Sequence, residues 1–466
     1  MRKYIYIITM VTCILFLNGC SVTDVYENNK LNPLERVADK KLNQIRANLF
    51  KRLDTAILFK QFQKSLPQLR KDSIYRVFYR MPKGGLLHTH GGAILDNEKA
   101  LELASEHNEF CLYVGNDALL PYGTLLSIAE GESLPQGVVR LKEFEKNNSN
   151  WKELLLDLYT LDSNDKASGL WTEFEDIFLR TEVLNYSAPI FKELLVNAFT
   201  KMANEGVQFL ELRTSLDGLY DENMNFLSKD SLMRSYADAL RQVKVRYPSF
   251  DLKFVYCGGK YNTNEELEYC LRQLDTLSET YSKSIVGVDL IGEEDSLNPL
   301  SYYESVLSGY HKYPLMLHAG ESASSKNTNI ETAVRLGSVR LGHALNLYFF
   351  PSLEEEVKAK HIAIECCPIS NQVLGYVDNM SQHPANKYIK DGQILSINSD
   401  DNAIFGTSYI TDDFLAAYLS WNLDLSSIKQ LILNSILYSG LTSKEKSEQL
   451  QVFEENWEIF IRTLAK

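Results

Sequence analysis

Leu87-His88-Thr89-His90 is the sharpest chemical feature of the sequence. In a strand, residues i and i+2 point to the same face, so two imidazoles project together with the spacing to share one divalent ion. A second group, Leu317-His318-Ala319-Gly320-Glu321, offers a third nitrogen donor and, just beyond it, a carboxyl where a general acid or base would reach a substrate. Arg340-Leu341-Gly342-His343 and Ser399-Asp400-Asp401 also end apolar runs. Each group has a plainer reading alone. Glu321 suits the first turn of a helix, and adjacent aspartates commonly cap one. Taken together they say more: His88, His90, His318 and His343 are four of only eight histidines, and Asp400 ends a further segment. Three imidazoles and one carboxylate make a donor set for zinc, with water in an open position. The other histidines (His107, His311, His361, His383) fall in helices, turns or strand starts and read as structural or exposed.

The elements that must position these groups are short apolar segments: 85–90, 207–213, 252–257, 285–291, 314–318, 338–343, 362–367 and 393–400. Helix-compatible stretches separate them, at 188–205, 230–246, 264–280, 329–336 and 353–360. Eight strands alternating with helices is the count of an α/β protein with a (β/α)8 TIM barrel, whose catalytic side chains stand at the C-terminal ends of strands. The alternative, an open doubly wound sheet, needs a reversal of strand order that nothing marks. The gap after the first segment is too long for one crossover helix and holds several turn signals, so residues 97–170 read as an inserted subdomain. Glu211 and Arg213 share a strand face and read as a buried ion pair, with Asp289 and Glu293 structural.

The chain's 466 residues are 45% hydrophobic and 23% charged, an ordinary globular composition. A net charge of −13 argues against a broad grip on nucleic acid phosphates. The N-terminus carries Arg2 and Lys3, an apolar run from Tyr4 to Phe16, then Leu17-Asn18-Gly19-Cys20. That is the layout of a secretory signal, and a Cys directly after the small residue resembles a bacterial lipobox, predicting cleavage of residues 1–19 and lipidation of Cys20. The run is too short to span a bilayer, so the expectation is a lipid-anchored lipoprotein of the cell envelope, periplasmic or surface-exposed. Residues 20–80 read as a tether, polar through 35, followed by two or three helices over 36–80; residues 81–466 form the barrel. The five remaining cysteines are scattered, and vicinal Cys366-Cys367 reads as packing within a strand.

The chemical motifs, in this order, resemble the adenosine deaminase superfamily, nearest its secreted branch, the adenosine deaminase-related growth factors. The matching stretches are Met81–His90, Trp171–Phe178, Phe209–Arg213, Gly287–Glu294, His318–Glu321, Arg340–His343, Cys367–Asn371 and Ser399–Asp401. The resemblance implies a metal-dependent hydrolase barrel, one Zn2+ per chain on His88, His90, His318 and Asp400, and hydrolytic deamination of adenosine or a closely related 6-aminopurine nucleoside to the inosine-type product and ammonia. It implies that Glu321 protonates ring N1, His343 holds the attacking oxygen, Asp401 meets N7, the Gly292 N–H meets N3, and Trp171 packs on the ligand. In that branch N-terminal helices support a homodimer, and residues 36–80 are the corresponding stretch. The implied partner is a small purine nucleoside, with no nucleic acid and membrane contact only through Cys20. Gly91-Gly92-Ala93 stands where relatives place an Asp toward the sugar 5′-hydroxyl, Ala344 replaces a common Gly, and Asn402 a common Pro. The alternative activity is a barrel metal-dependent hydrolase acting on another aminopurine or a cyclic amide. A cytidine-deaminase zinc site needs Pro-Cys-x-x-Cys, and the order here is Cys-Cys-Pro.

Overall fold

A computed structural model describes residues 31–116, 120–162 and 169–466; the signal segment and Cys20 lie outside the described residues. The chain enters through four helices, Pro33–Phe50, Thr55–Lys60, Phe62–Leu69 and Ser73–Arg80. The first begins inside the stretch expected to be tether. Asn32 accepts from the N–H groups of Leu34 and Glu35 while the Glu35 carboxylate accepts from the Asn32 N–H, a reciprocal cap with Pro33 at the first turn. Glu35 is buried, and also accepts from Trp457 Nε1 at 2.8 Å and Lys429 Nζ at 3.1 Å. The N-terminal helix is thereby fastened to the last helix, Ser443–Ala465.

Strand β1 (Gly84–His90) opens the barrel. After it come the helix Asn97–Glu106, an antiparallel sheet of β2 (Phe110–Tyr113), β3 (Leu125–Ser127) and β4 (Val138–Arg140) in the order β3-β2-β4, and two helices, Leu141–Asn147 and Trp151–Leu158. The barrel resumes with β5 (Val207–Thr214), β6 (Asp251–Gly259), β7 (Ile285–Ile291), β8 (Met316–Ala319), β9 (Arg340–His343), β10 (Ala363–Cys366) and β11 (Leu395–Ile397). Two parallel four-stranded sheets, β1-β5-β6-β7 and β8-β9-β10-β11, are joined at both seams by parallel bridges, Val288 to Leu315 and Thr89 to Asp400. The structure is therefore the closed (β/α)8 barrel and not the open sheet. Helices follow the strands close to the expected bounds, for example Ala188–Asn204 and Asn264–Tyr281. Strand interiors are almost wholly buried, most of them in one large apolar core, with Val255, Val286 and Met316 forming a small separate cluster, as in a barrel covered by helices. Among the described residues, no helix is long and apolar enough to cross a membrane.

The β11–β1 seam shows why the eighth segment is shorter than its apolar run. Asn398 leaves the ladder and its Oδ1 accepts from the Leu87 and His88 N–H groups at 2.9 and 3.1 Å. The Asp400 N–H then donates to His88 O at 3.1 Å, and Asp400 O accepts from Thr89 Oγ1 at 2.7 Å. The contact that closes the barrel also brings Asp400 to the two histidines of β1.

Candidate active site

His88, His90, His318 and Asp400 converge at the C-terminal mouth, each presenting one donor atom within 4.8 Å of the others. His88 Nε2 and His90 Nε2 lie 3.3 and 3.1 Å from Asp400 Oδ1. Donors around a tetrahedral ion with bonds of about 2.1 Å stand roughly 3.4 Å apart, so the cluster has the right scale for one. His88 Nε2 is buried with no hydrogen-bond partner among the described residues, as is His343 Nε2. Burying such atoms unpaired is costly, and a cation among them would satisfy His88.

The far sides of the rings are held by carboxylates. His88 Nδ1 is 2.8 Å from Glu365 Oε2, and His318 Nδ1 is 2.6 Å from Asp289 Oδ2. An N–H given to a carboxylate turns the other ring nitrogen, with its lone pair, toward the metal. Burial, then the neighbouring His88 and His90, draw His318 down to about 3 against the pull of Asp289, so it is the neutral ligand form near pH 7. Burial and Arg213 oppose protonation of His88, but Asp400 and Glu365 outweigh them and raise it; a bound cation would reverse that.

Glu365 and Asp289 are tied together by one buried guanidinium. Arg213 donates to Asp289 Oδ2 at 2.8 Å and to Glu365 Oε2 at 2.5 Å. Arg340 joins Glu365 Oε1 to Glu211 Oε2, both at 2.5 Å. The expected Glu211–Arg213 pair is therefore not formed. The two share a strand face, but Glu211 is drawn to Arg340 and to the Gly440 N–H, while Arg213 serves the carboxylates behind the histidines. Asp289, read as structural, proves to hold His318, whereas the Glu293 side chain accepts from nearby Ser296. Motif spacing does not mark out Glu365. The signal was there: a single carboxylate inside the apolar run Ile362–Cys367.

A second donor grouping, His88, His343, Cys367 and Asp400, overlaps the first. It fits a metal less well. The Cys367 thiol is pushed far up by burial, then by Asp400, and His343 Nδ1 faces an amide, Asn371 Nδ2 at 3.1 Å, instead of a carboxylate. His343 Nε2 points between Glu321 Oε1 at 3.6 Å and Asp400 Oδ2 at 3.7 Å, beyond hydrogen-bonding reach of either. Both His343 and Asp400 have positive φ, 62° and 60°, and Ala344 follows at 45°. Such backbone is unfavourable for residues with a Cβ and persists where the surroundings impose it.

Glu321 is buried beside this cluster. Burial, then the Asp400 and Glu294 charges, push its carboxyl well above the ordinary range, with Lys260 opposing. That direction favours the protonated acid. Asp401 is raised in the same way by burial and Asp400, and its Oδ1 has no partner among the described residues. Ser370 Oγ donates to Asp400 Oδ2 at 2.8 Å. The loop carrying Glu321 is braced from below: Glu294 accepts from the Gly320 N–H at 2.9 Å and pairs with buried Lys260 at 3.1 Å. Gly292 follows β7 with φ 114°, a turn that its lack of a Cβ permits.

Trp171 is half-buried on the helix Leu170–Thr181, in edge contact with Phe174 and donating from Nε1 to Tyr376 OH at 2.8 Å. Phe174 in turn stacks on Phe405, in the loop just after Asp401. Tyr376 and Ser322, next to Glu321, border a cavity of about 700 Å³ that also reaches His383. Gly91 and Gly92 begin a short turn of helix after β1; a Cβ at Gly92 would lie 3.1 Å from the Phe178 ring.

These residues can be set against known proteins. Residues 155–455 match the profile of the family described as adenosine deaminase. An adenosine deaminase of Lutzomyia longipalpis is 30% identical over 412 residues, covering 85% of this chain and 81% of that protein. An adenosine deaminase 2 of Dictyostelium discoideum is 30% identical over 422 residues, covering 84% and 75%. Among solved structures, the Arabidopsis N6-mAMP deaminase superposes with a TM-score of 0.60 at 19% identity, covering 82% of this chain and 99% of that one, a likeness of fold.

Proposed function

The chain belongs to the adenosine deaminase family and is a hydrolytic aminohydrolase of aminopurines, and from that premise we propose a zinc-dependent enzyme that converts adenosine or a close 6-aminopurine nucleoside to the inosine-type product and ammonia. The observation that carries this reading is a buried Glu321 carboxyl placed beside His343 and a cluster of three imidazoles and a carboxylate. A zinc ion held by His88, His90, His318 and Asp400 would supply an acidified water near neutral pH.

The chain's own groups account for the rest. Glu321 offers its proton to purine N1, making C6 the better electrophile. His343 holds the oxygen that adds to C6, in the gap between Glu321 and Asp400. Asp401 faces N7, the Gly292 N–H faces N3, and Trp171, steadied by Tyr376, covers the ligand. Water's oxygen bonds to C6 as the C6–N bond to the amino group breaks; one water proton leaves with the amino group as ammonia, the other returns to Glu321, and the proton Glu321 gave stays on N1 of the inosine-type product.

A second reading, another aminopurine as substrate, draws support from one observation. Gly91-Gly92 carries no carboxylate, and Phe178 crowds the space a side chain at Gly92 would take. The test is a panel of adenosine, 2′-deoxyadenosine, adenine, methylthioadenosine and AMP, following loss of the adenine absorbance with and without chelator. Adenosine turning over fastest, with loss on chelation, is expected; turnover indifferent to chelation would overturn the zinc assignment. We also propose, from the sequence, an envelope lipoprotein anchored at Cys20 and a homodimer supported by the N-terminal helices. Mass spectrometry of the membrane fraction and the mass of the detergent-extracted particle would test these.

A further inference from the structure

We propose that His383 and Asn371 are positioning residues that fix His343 in the tautomer with its proton on Nε2, so that His343 meets the reaction as a hydrogen-bond donor and not as a base. The inference rests on the function proposed above only in what that donor is for.

A backbone N–H can only donate. The Ala385 N–H donates to His383 Nδ1 at 3.1 Å. That nitrogen therefore carries a lone pair, and in a neutral imidazole the proton is on Nε2. His383 Nε2 is 3.1 Å from Asn371 Oδ1, which accepts from it. An Asn amide turned the other way would set two donors against each other, so the Asn371 orientation follows from the protein's own hydrogen bonds. Its Nδ2 consequently points at His343 Nδ1, also at 3.1 Å. A donor there makes His343 Nδ1 the acceptor and leaves the proton on Nε2, the atom that enters the gap between Glu321 and Asp400 without a partner among the described residues.

The relay is held rigidly. His383 and Asn371 are buried, and the His383 ring lies 5.2 Å from Trp421, whose Nε1 donates to Met380 O. Burial draws His383 down to about 3, so it stays neutral and the polarity of the relay does not reverse near pH 7. A doubly protonated His343 would turn an Nδ1–H against the Asn371 amide, so the same relay disfavours the imidazolium.

The experiment uses the full-length, metal-loaded protein labelled with 15N-histidine, reading from long-range 1H–15N correlations which ring nitrogen of His343 carries the proton; His343→Gln identifies its signals. The wild type should show Nε2–H. Asn371→Asp, nearly identical in size, offers only acceptors; it should move the proton to Nδ1 and lower kcat by roughly 10²- to 10⁴-fold with little change in KM. His383→Gln keeps a donor toward Asn371 and should keep the Nε2 tautomer and most of kcat, whereas His383→Met should lose both. Metal content measured on every variant separates a lost tautomer from a lost fold. Nδ1–H in the wild type, or an Asn371→Asp variant with unchanged tautomer or unchanged kcat, would overturn the inference. An Nε2–H wild type that turns over no 6-aminopurine would instead refute the proposed function and leave the relay standing.

Discussion

Two layers of charged side chains fill the barrel, one above the other, and they are built on opposite rules. In the lower layer, Arg213, Arg340, Glu211, Glu365 and Asp289 are all buried and bond to one another, to backbone or to the histidines above them. In the upper layer, His88, His343 and Asp401 each bury an atom with no partner among the described residues, and the carboxyls of Glu321 and Asp401 are forced up by burial and by Asp400. Burial held in common does not separate the layers; satisfaction does. Where a protein completes its own hydrogen bonds it is building structure, and where it leaves them open among convergent donors it awaits something from outside.

The largest expected effects set the layers directly against each other. Glu321→Gln removes a proton donor and keeps its shape; kcat should fall by about 10²- to 10⁴-fold with metal retained and stability nearly unchanged. Arg213→Met should do the reverse in kind, losing about 3–5 kcal/mol in urea unfolding because Asp289 and Glu365 are left buried and uncompensated. If Glu321→Gln proved as destabilising as Arg213→Met, the distinction between the layers would fail. Glu365→Gln probes a residue that, like Asp289 with His318 and Arg213, belongs to both, since it holds His88 above and two arginines below. Chelator competition should show metal affinity weakened by about 10- to 100-fold; unchanged affinity would put Glu365 in the lower layer alone.

The smallest effect lies outside both layers and serves as their control. Burial would raise the Glu445 carboxyl, but Lys253 and the Thr442 cap outweigh it and hold it at about 2. A carboxylate depressed in the folded state stabilises above its unfolded value, near 4.5, and loses that contribution as pH falls from there toward 2. Wild type and Glu445→Gln should therefore differ by no more than about 1 kcal/mol at pH 6 and converge near pH 2. Activity at pH 7 should not distinguish them.

The upper layer was legible in the sequence because its residues stand at strand ends, where a polar side chain interrupts an apolar run: His88, His90, His318, His343 and Asp400 all announce themselves that way. The lower layer was not, since its partners lie on strands far apart in the chain. Glu211 and Arg213 looked like a pair by spacing, yet each found its partner on another strand. Asn371 and His383 escaped for a related reason: a hydrogen bond's direction is set by a chain of contacts that no periodicity records. The N-terminal helices were half legible. Their apolar spacing from residue 36 was visible, but the Asn32–Glu35 cap that starts the first one was read as tether.

Whether one cation completes the upper layer is read out by anomalous diffraction at the zinc edge from crystals of the purified protein. A single peak per chain is expected within bonding distance of His88, His90, His318 and Asp400. No peak there, or a peak bound instead through His343 and Cys367, would contradict it.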